Sequence, residues 1–213
     1  CKRAPGVLGV DDAVRQAGKL TVVPMRGWDR AMRWPETGLK WVPTSPMIPD
    51  FAAVVGYPMV GLGTYLGDFS HGIGSQYPFR GISHKGTRLD QLEFHLKNLN
   101  VPGVEVRRVR ATTAGGAPTV GLYLSVSDWN TWNPTELNFH LMKLACMLES
   151  TNPFADAAKA KTTRGFIIHT GSEAFFNALV RDGARIDLDS WLSTWRQQAA
   201  VYKKQSQRYW LYR

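Results

Sequence analysis

The stretch from Trp41 to Phe79 constrains the fold more than any other part of the chain. Pro43, Pro46, Pro49 and Pro58 fix φ and remove backbone donors, so neither an ordinary helix nor a central strand can begin before Pro49. An apolar run to Tyr65 follows, and then G-D-F-S-H-G-I-G-S-Q-Y-P-F over residues 67–79. Glycines at 61, 63, 67, 72 and 74 permit positive φ and close backbone approach. A rigid entry followed by a Gly/Ser/His loop suits a cleft wall. The same residues also suit a long structural connection.

With 213 residues the chain can bury one large core. Hydrophobic residues at 44% and charged residues at 20% describe a folded chain rather than a disordered one. No apolar run approaches the roughly 20 residues needed to cross a bilayer. The net charge of +9, from 26 Lys+Arg against 17 Asp+Glu, suits anionic partners such as nucleic acid, anionic lipid or cell-wall polymer. Part of the excess is local, at Arg107, Arg108 and Arg110 and in the five basic residues from Arg196 to Arg213. A solvated basic face would account for it equally well.

Two cysteines occur. Cys146 sits in the helical pattern L-M-K-L-A-C-M-L and reads as a small core residue. Cys1 opens the chain, which is the arrangement of a mature lipoprotein cut before its lipidated cysteine; a piece trimmed from a longer chain would look the same. No Cys/His spacing suits zinc, and the five histidines show neither H-x-x-x-H nor H-E-x-x-H, so no metal and no cofactor is expected.

Read in order, residues 1–18 form an arm and a short helix capped by Asp11 or Asp12, and residues 19–213 form a single α/β domain, a mixed sheet with packed helices. Leu20–Met25 reads as a buried strand. Trp28, Trp34 and Trp41 among basic residues offer faces for sugar rings or bases, or pack on the sheet. D-F-A-A-V-V-G-Y reads as a short buried helix. Leu89, Leu92, Leu96 and Leu99 repeat at helical spacing behind Thr87 as cap.

Val104–Arg110 and Thr119–Val126 alternate as neighbouring strands. Asn133-Pro134-Thr135-Glu136 predicts a capped helix that packs on the sheet and stops at Asn152-Pro153. Arg164–His169 reads as a short strand or as a lead into a helix opened by Thr170-x-x-Glu173 and closed by Gly183. Asp187 or Asp189 caps a last helix whose face is Leu192, Trp195, Ala199 and Tyr202, and Tyr209–Tyr212 closes as a strand.

Asp68, Ser70 and His71 are the most suggestive polar cluster: a carboxylate and an imidazole in a Gly-rich loop can bind sugar hydroxyls or move a proton. Equally, Asp68 and Ser70 can satisfy their own turn. Asp128, with Trp129, Asn130 and Trp132, forms a second polar-aromatic edge that either flanks a cleft or is a plain turn.

The order of these residues resembles the exo-β-N-acetylmuramidase family, long catalogued as a domain of unknown function. The resemblance is carried by L-T-V-V-P-M-R-G-W-D-R, T-G-L-K-W-V-P-T-S-P-M-I-P, S-H-G-I-G-S and Y-P-F, then by L-N-V-P-G-V-E-V, G-L-Y-L-S-V-S-D and the closing Y-W-L-Y-R. It implies bacterial enzymes that act outside the cytoplasm and release N-acetylmuramic acid from peptidoglycan fragments. It also implies a Rossmann-like N-terminal domain, a smaller C-terminal α/β domain and an active site between them. On this comparison residues 19–41 correspond to the end of the Rossmann-like part, whose catalytic carboxylate then lies outside the chain.

The family's central loop, approximately E-G-T-N-x-S-x-G-R-G-T, aligns with Y-L-G-D-F-S-H-G-I-G-S. Ser70, Gly72 and Gly74 match and Ser75 substitutes for the threonine, but Tyr65 stands in place of the glutamate, Asp68 of the asparagine and Ile73 of the arginine. Ile73 cannot supply the guanidinium fork that a lactyl carboxylate favours.

The resemblance therefore implies a non-catalytic, exported accessory or scaffold subunit, periplasmic or anchored in the cell envelope through Cys1. Its glycan-binding candidates are Asp68, Ser70, His71, Ser75, Trp41 and Asp128, and its partners a protein complex and a muropeptide or peptidoglycan. The rival is a fragment of an active muramidase. Nucleic acid is not expected, for want of a reading helix or an aromatic-basic surface strand.

Overall fold

The computed structural model describes residues 21–212, together with Ala13, Ala17 and Lys19. Ala13 and Ala17 are helical; Cys1 and the rest of the arm over 1–18 lie outside the described residues. The chain divides into two compact units, Trp41–Leu192 and a second built from Cys1–Lys40 with Ser193–Arg213.

The larger unit is built on one sheet. Its strands are β1 (Phe69–Ile73), β2 (Tyr77–His84), β3 (Val104–Thr112) and β4 (Pro118–Val126), in the order β1-β2-β4-β3. Every pairing is antiparallel. The alternation read in Val104–Arg110 and Thr119–Val126 becomes a hairpin in register from Val104↔Val126 to Thr112↔Pro118. Helices α1 (Phe51–Val60), α2 (Leu89–Asn98), α3 (Glu136–Leu148), α4 (Pro153–Lys159), α5 (Arg164–Thr170), α6 (Glu173–Asp182) and α7 (Leu188–Ser206) complete the α/β architecture; α7 passes into the second unit at Ser193.

Strand periodicity explains which side of the sheet is covered. One face carries Phe69, Ile82, Leu122 and Leu124, all buried; α2, whose Leu92 and Leu96 are buried too, packs against β2, β3 and β4. Alpha-helix α1 begins where Asp50 accepts from Ala53 N–H, one residue after the last proline of the rigid entry. It presses on β2 so closely that a Cβ at Gly56 would stand 1.9 Å from the Phe79 carbonyl oxygen. The connection after α1 is held by Asn138, fully buried, whose amide oxygen accepts from Leu62 N–H at 3.0 Å and whose amide nitrogen donates to the Leu62 carbonyl at 3.1 Å. A second core of Phe154, Phe166 and Phe176 joins α4, α5 and α6.

Several local expectations change. F-S-H-G-I is the edge strand β1 and not a loop, because β2 supplies the ladder its backbone needs. Arg164–Thr170 is a helix, with Phe166 fully buried. Caps shift by a residue or two: Thr135 precedes α3 without a side-chain cap bond, and Ser172 rather than Thr170 caps α6 by accepting from Phe175 N–H. Asn152 does not stop α3, which ends at Leu148, but caps α4. Thr87 turns its hydroxyl to the His84 ring, so α2 starts at Leu89 without it. Helix α3 approaches α1, the turn Thr64–Gly67 and the turn Gly183–Arg185 more closely than any strand.

In the smaller unit neither expected strand forms among the described residues: 21–25 is exposed and has no ladder, and Gln207–Tyr209 is a 3-10 turn. The two segments meet through side chains instead. Trp28 packs edge-on against Tyr212, Arg30 lies over the Trp210 ring, and Met25 N–H donates to the Tyr212 hydroxyl. Aromatic and arginine side chains, two of them bonded to single backbone groups, make this contact in place of a strand ladder. Along α7 the expected stripe is covered only at its start: Leu192 is buried, whereas Tyr202 is 66% exposed.

Candidate functional site

The second face of the sheet differs in kind from the first. Because paired residues share a face, Ser70 and Ser83, Gly81, Tyr123 and Arg107, Glu105 and Ser125 all stand on the side away from α2. Ser70, Ser83, Glu105 and Arg107 are exposed.

A break in the β1–β2 ladder shapes this face. His71 pairs with Ile82, but the next residue, Gly72, pairs with Pro78, so Phe79, Arg80 and Gly81 form a bulge. Phe79 has φ +56°, an outlier for an aromatic residue, and is held there by Tyr57 packed edge-on at 4.9 Å and by the stacked His71 ring. The kink folds the hairpin tip back across the outer face. Ser75 N–H and hydroxyl both donate to the Thr112 carbonyl, at 2.9 and 3.2 Å, and Thr112 N–H donates to the Gln76 side chain. Gly74 approaches the same carbonyl, where no Cβ would fit.

Ile73 lies in the fold of this tip. It is 4% exposed and fills the space above Gly81 and Gly121, either of which would collide with it if given a Cβ. Beside it Tyr77 and Tyr123 meet edge to face at 5.6 Å. The Arg107 guanidinium lies 4.7 Å from the Tyr123 ring centre and has no ion-pair partner among the described residues. Arg80, over Tyr77, is instead committed to Asp50 at 2.5 Å.

The sequence candidates separate on this frame. Ser70 and His71 are adjacent in β1 and therefore point to opposite faces. His71 stacks on Phe79 at 4.6 Å, and its Nδ1 is sealed from solvent without a hydrogen-bond partner among the described residues. The two cannot work as a pair. Asp68 is exposed just before β1, with φ +55°, and its carbonyl accepts from Lys85 N–H. Its carboxylate makes no hydrogen bond among the described residues, so it is available to a ligand at the edge that carries Ser70.

Ser75 is spent on Thr112, and the Trp41 indole N–H on the Ile48 carbonyl at 3.3 Å. Asp128 accepts from Asn130 N–H and from the Thr131 hydroxyl, and those bonds hold its carboxyl below the usual range. It closes its own turn, above which Trp129 and Trp132 pack edge-on and Trp129 stacks on Phe51.

Hydrolysis of a glycosidic bond normally uses two carboxyl groups about 5–9.5 Å apart. The outer face offers Glu105 on β3 besides Asp68 at β1, but these stand at opposite edges of the sheet. Three strand spacings put them roughly 14 Å apart before any offset along the strands. Hydroxyls, two aromatic rings and a guanidinium with no ion-pair partner among the described residues are groups that can bind a saccharide. Sequence reasoning missed Tyr77, Ser83 and Tyr123. The period-two pattern of G-L-Y-L-S-V puts Gly121, Tyr123 and Ser125 on one side of the strand, and that alternation is the signal for the outer face.

Comparison with known proteins adds the lineage. The profile described as exo-beta-N-acetylmuramidase NamZ, C-terminal, matches residues 55–212, and its N-terminal counterpart matches residues 8–52. The chain belongs to the exo-β-N-acetylmuramidase NamZ family. Among its relatives, the peptidoglycan β-N-acetylmuramidase NamZ of Bacillus subtilis is 32% identical over 130 residues, which is 58% of this chain and 31% of that protein. A crystal structure of a DUF1343 family protein from Bacteroides fragilis superposes with a TM-score of 0.69 at 26% identity, over 88% of this chain and 49% of that one. The match thus spans about a third of the one NamZ-family relative and about half of the other.

Proposed function

We propose that this chain is a non-hydrolytic member of the NamZ family that holds peptidoglycan fragments on the outer face of its sheet. It serves as an exported accessory subunit of the cell envelope, docked on a partner protein. The observation that carries this reading is Ile73. The position that the family gives to an arginine is occupied by an apolar side chain packed into the floor between Gly81 and Gly121, out of reach of any ligand. With Tyr65 in place of the glutamate, this segment supplies neither an acid nor a cation at the positions where the family pattern has them. Ser70, Asp68 and the two tyrosines remain to bind. Export follows from the ligand, since peptidoglycan lies outside the cytoplasm.

A second reading, part of an active muramidase, is favoured by the tandem match of the N-terminal and C-terminal profiles over residues 8–52 and 55–212. One experiment separates the two. Muropeptides are incubated with the chain while free N-acetylmuramic acid is followed by mass spectrometry, and N-acetylmuramic acid is titrated by calorimetry into the chain and into Asp68→Ala. The non-hydrolytic reading expects no release, binding at millimolar ligand and weaker binding by the variant. Catalytic release of N-acetylmuramic acid would overturn it in favour of the second reading.

A further inference from the structure

The family pattern places a guanidinium at position 73, and this chain has lost it. Yet the face on which Ile73 lies is not without a cation. Arg107 projects from β3 onto the same face, directly across the ladder from Tyr123, which in turn pairs with Gly81 beneath Ile73. Its guanidinium carbon stands over the Tyr123 ring, 4.7 Å from the centre, a cation–π contact that helps to place the charge. Its neighbours on the sequence are otherwise engaged. Arg108 stands on the opposite face, bonded to Glu93, and Glu105 accepts from the Ser125 hydroxyl.

Arg107 is exposed and has no carboxylate partner among the described residues. The ring of Tyr77 meets Tyr123 beside it, and the hydroxyls of Ser83 and Ser70 stand on the same face two and three strands away. An unpaired guanidinium beside aromatic rings and hydroxyls is complementary to a saccharide that carries a carboxylate, and not to a neutral one.

We infer that Arg107, stacked on Tyr123, is the anion-recognising residue of this face, and that its ligand is an acidic saccharide whose carboxylate it takes in place of the arginine absent at position 73. The inference rests on the saccharide-binding reading above and adds the specificity. N-acetylmuramic acid and N-acetylglucosamine differ by one lactyl group, so the pair isolates the carboxylate.

Both sugars are titrated into the full chain and into Arg107→Gln and Arg107→Lys, with chemical shifts or heat as the readout. The wild-type chain is expected to prefer N-acetylmuramic acid by about tenfold, the scale of one half-exposed charge-assisted contact. Raising the salt should shrink that preference without changing the affinity for N-acetylglucosamine. Arg107→Gln should abolish the preference and leave N-acetylglucosamine binding intact, while Arg107→Lys keeps the charge but loses the fork and so keeps part of the preference. Because Arg107 is exposed, neither change should unfold the chain, which circular dichroism checks. Equal affinity of the wild type for both sugars, or a preference that survives Arg107→Gln, would overturn the role of Arg107 while saccharide binding stood. Binding of neither sugar by the wild type would overturn both.

Discussion

The two faces of one four-stranded sheet have opposite chemistry, although adjacent residues of the same strands build both. On the covered side Ile82, Leu122 and Leu124 are buried, and the half-buried His71 is stacked on Phe79 with its Nδ1 shut off from solvent. Across the sheet, Ser70, Ser83 and Arg107 are open, and the tyrosines are only partly covered. Period-two alternation makes the division, and the Phe79 kink then folds a hairpin tip over the open side. The lesson is that nearness in sequence misleads here: Ser70 and His71 are neighbours in the chain and strangers in the fold.

The comparison is broken most violently from the covered side. Gly56→Ala drives a Cβ into the Phe79 carbonyl, backbone against backbone, and should cost about 3 kcal/mol or more. That corresponds to a fall of about 6–12 °C in melting temperature. Ser83→Ala on the open face should stay within about 0.5 kcal/mol in the same melts. Asn138→Ala comes next: it leaves Leu62 N–H and carbonyl unpaired, and chemical denaturation should show a loss of about 2–3 kcal/mol.

Ser70→Ala against His71→Phe sharpens the comparison by function. The first should weaken N-acetylmuramic acid binding severalfold with stability unchanged. The second keeps a ring against Phe79 and should leave binding as it was; a loss of binding in His71→Phe alone would reverse the assignment of the faces.

The smallest effect is electrostatic and sits at the edge between α2 and β3. Lys97, bonded to Glu93 at 2.7 Å, and then Arg108 hold the Glu93 carboxyl below the usual range. A lowered folded-state value means that this carboxylate stabilises the fold fully above the unfolded value of about 4.3 and loses that contribution as pH falls through the folded one. Glu93→Gln should therefore flatten the fall in melting temperature below about pH 4 and change little at pH 7.

Much of the framework was legible in the chain itself. The β3–β4 hairpin, α1 after Pro49 and the closure of α6 at Gly183 all follow from local pattern and local chemistry. What was not legible depends on distant partners. F-S-H-G-I looks like a loop until β2 is beside it, and Y-W-L-Y looks like a strand although Trp28 and Arg30 take its side chains. The site was legible in the same uneven way. Ser70 and Asp68 stand out as candidates by their place in the Gly-rich segment, whereas Tyr77, Tyr123 and Arg107 come together only through pairing across three strands.

On the proposed reading, ligand meets the open face of the sheet. The most direct test is a backbone chemical-shift map of the chain titrated with N-acetylmuramic acid. The account predicts shifts gathered at Ser70, Ser83, Tyr77, Tyr123 and Arg107, with the amides of Ile82, Leu122 and α2 undisturbed. Shifts centred instead on His71, Phe79 and Tyr57, or none at saturating sugar, would contradict it.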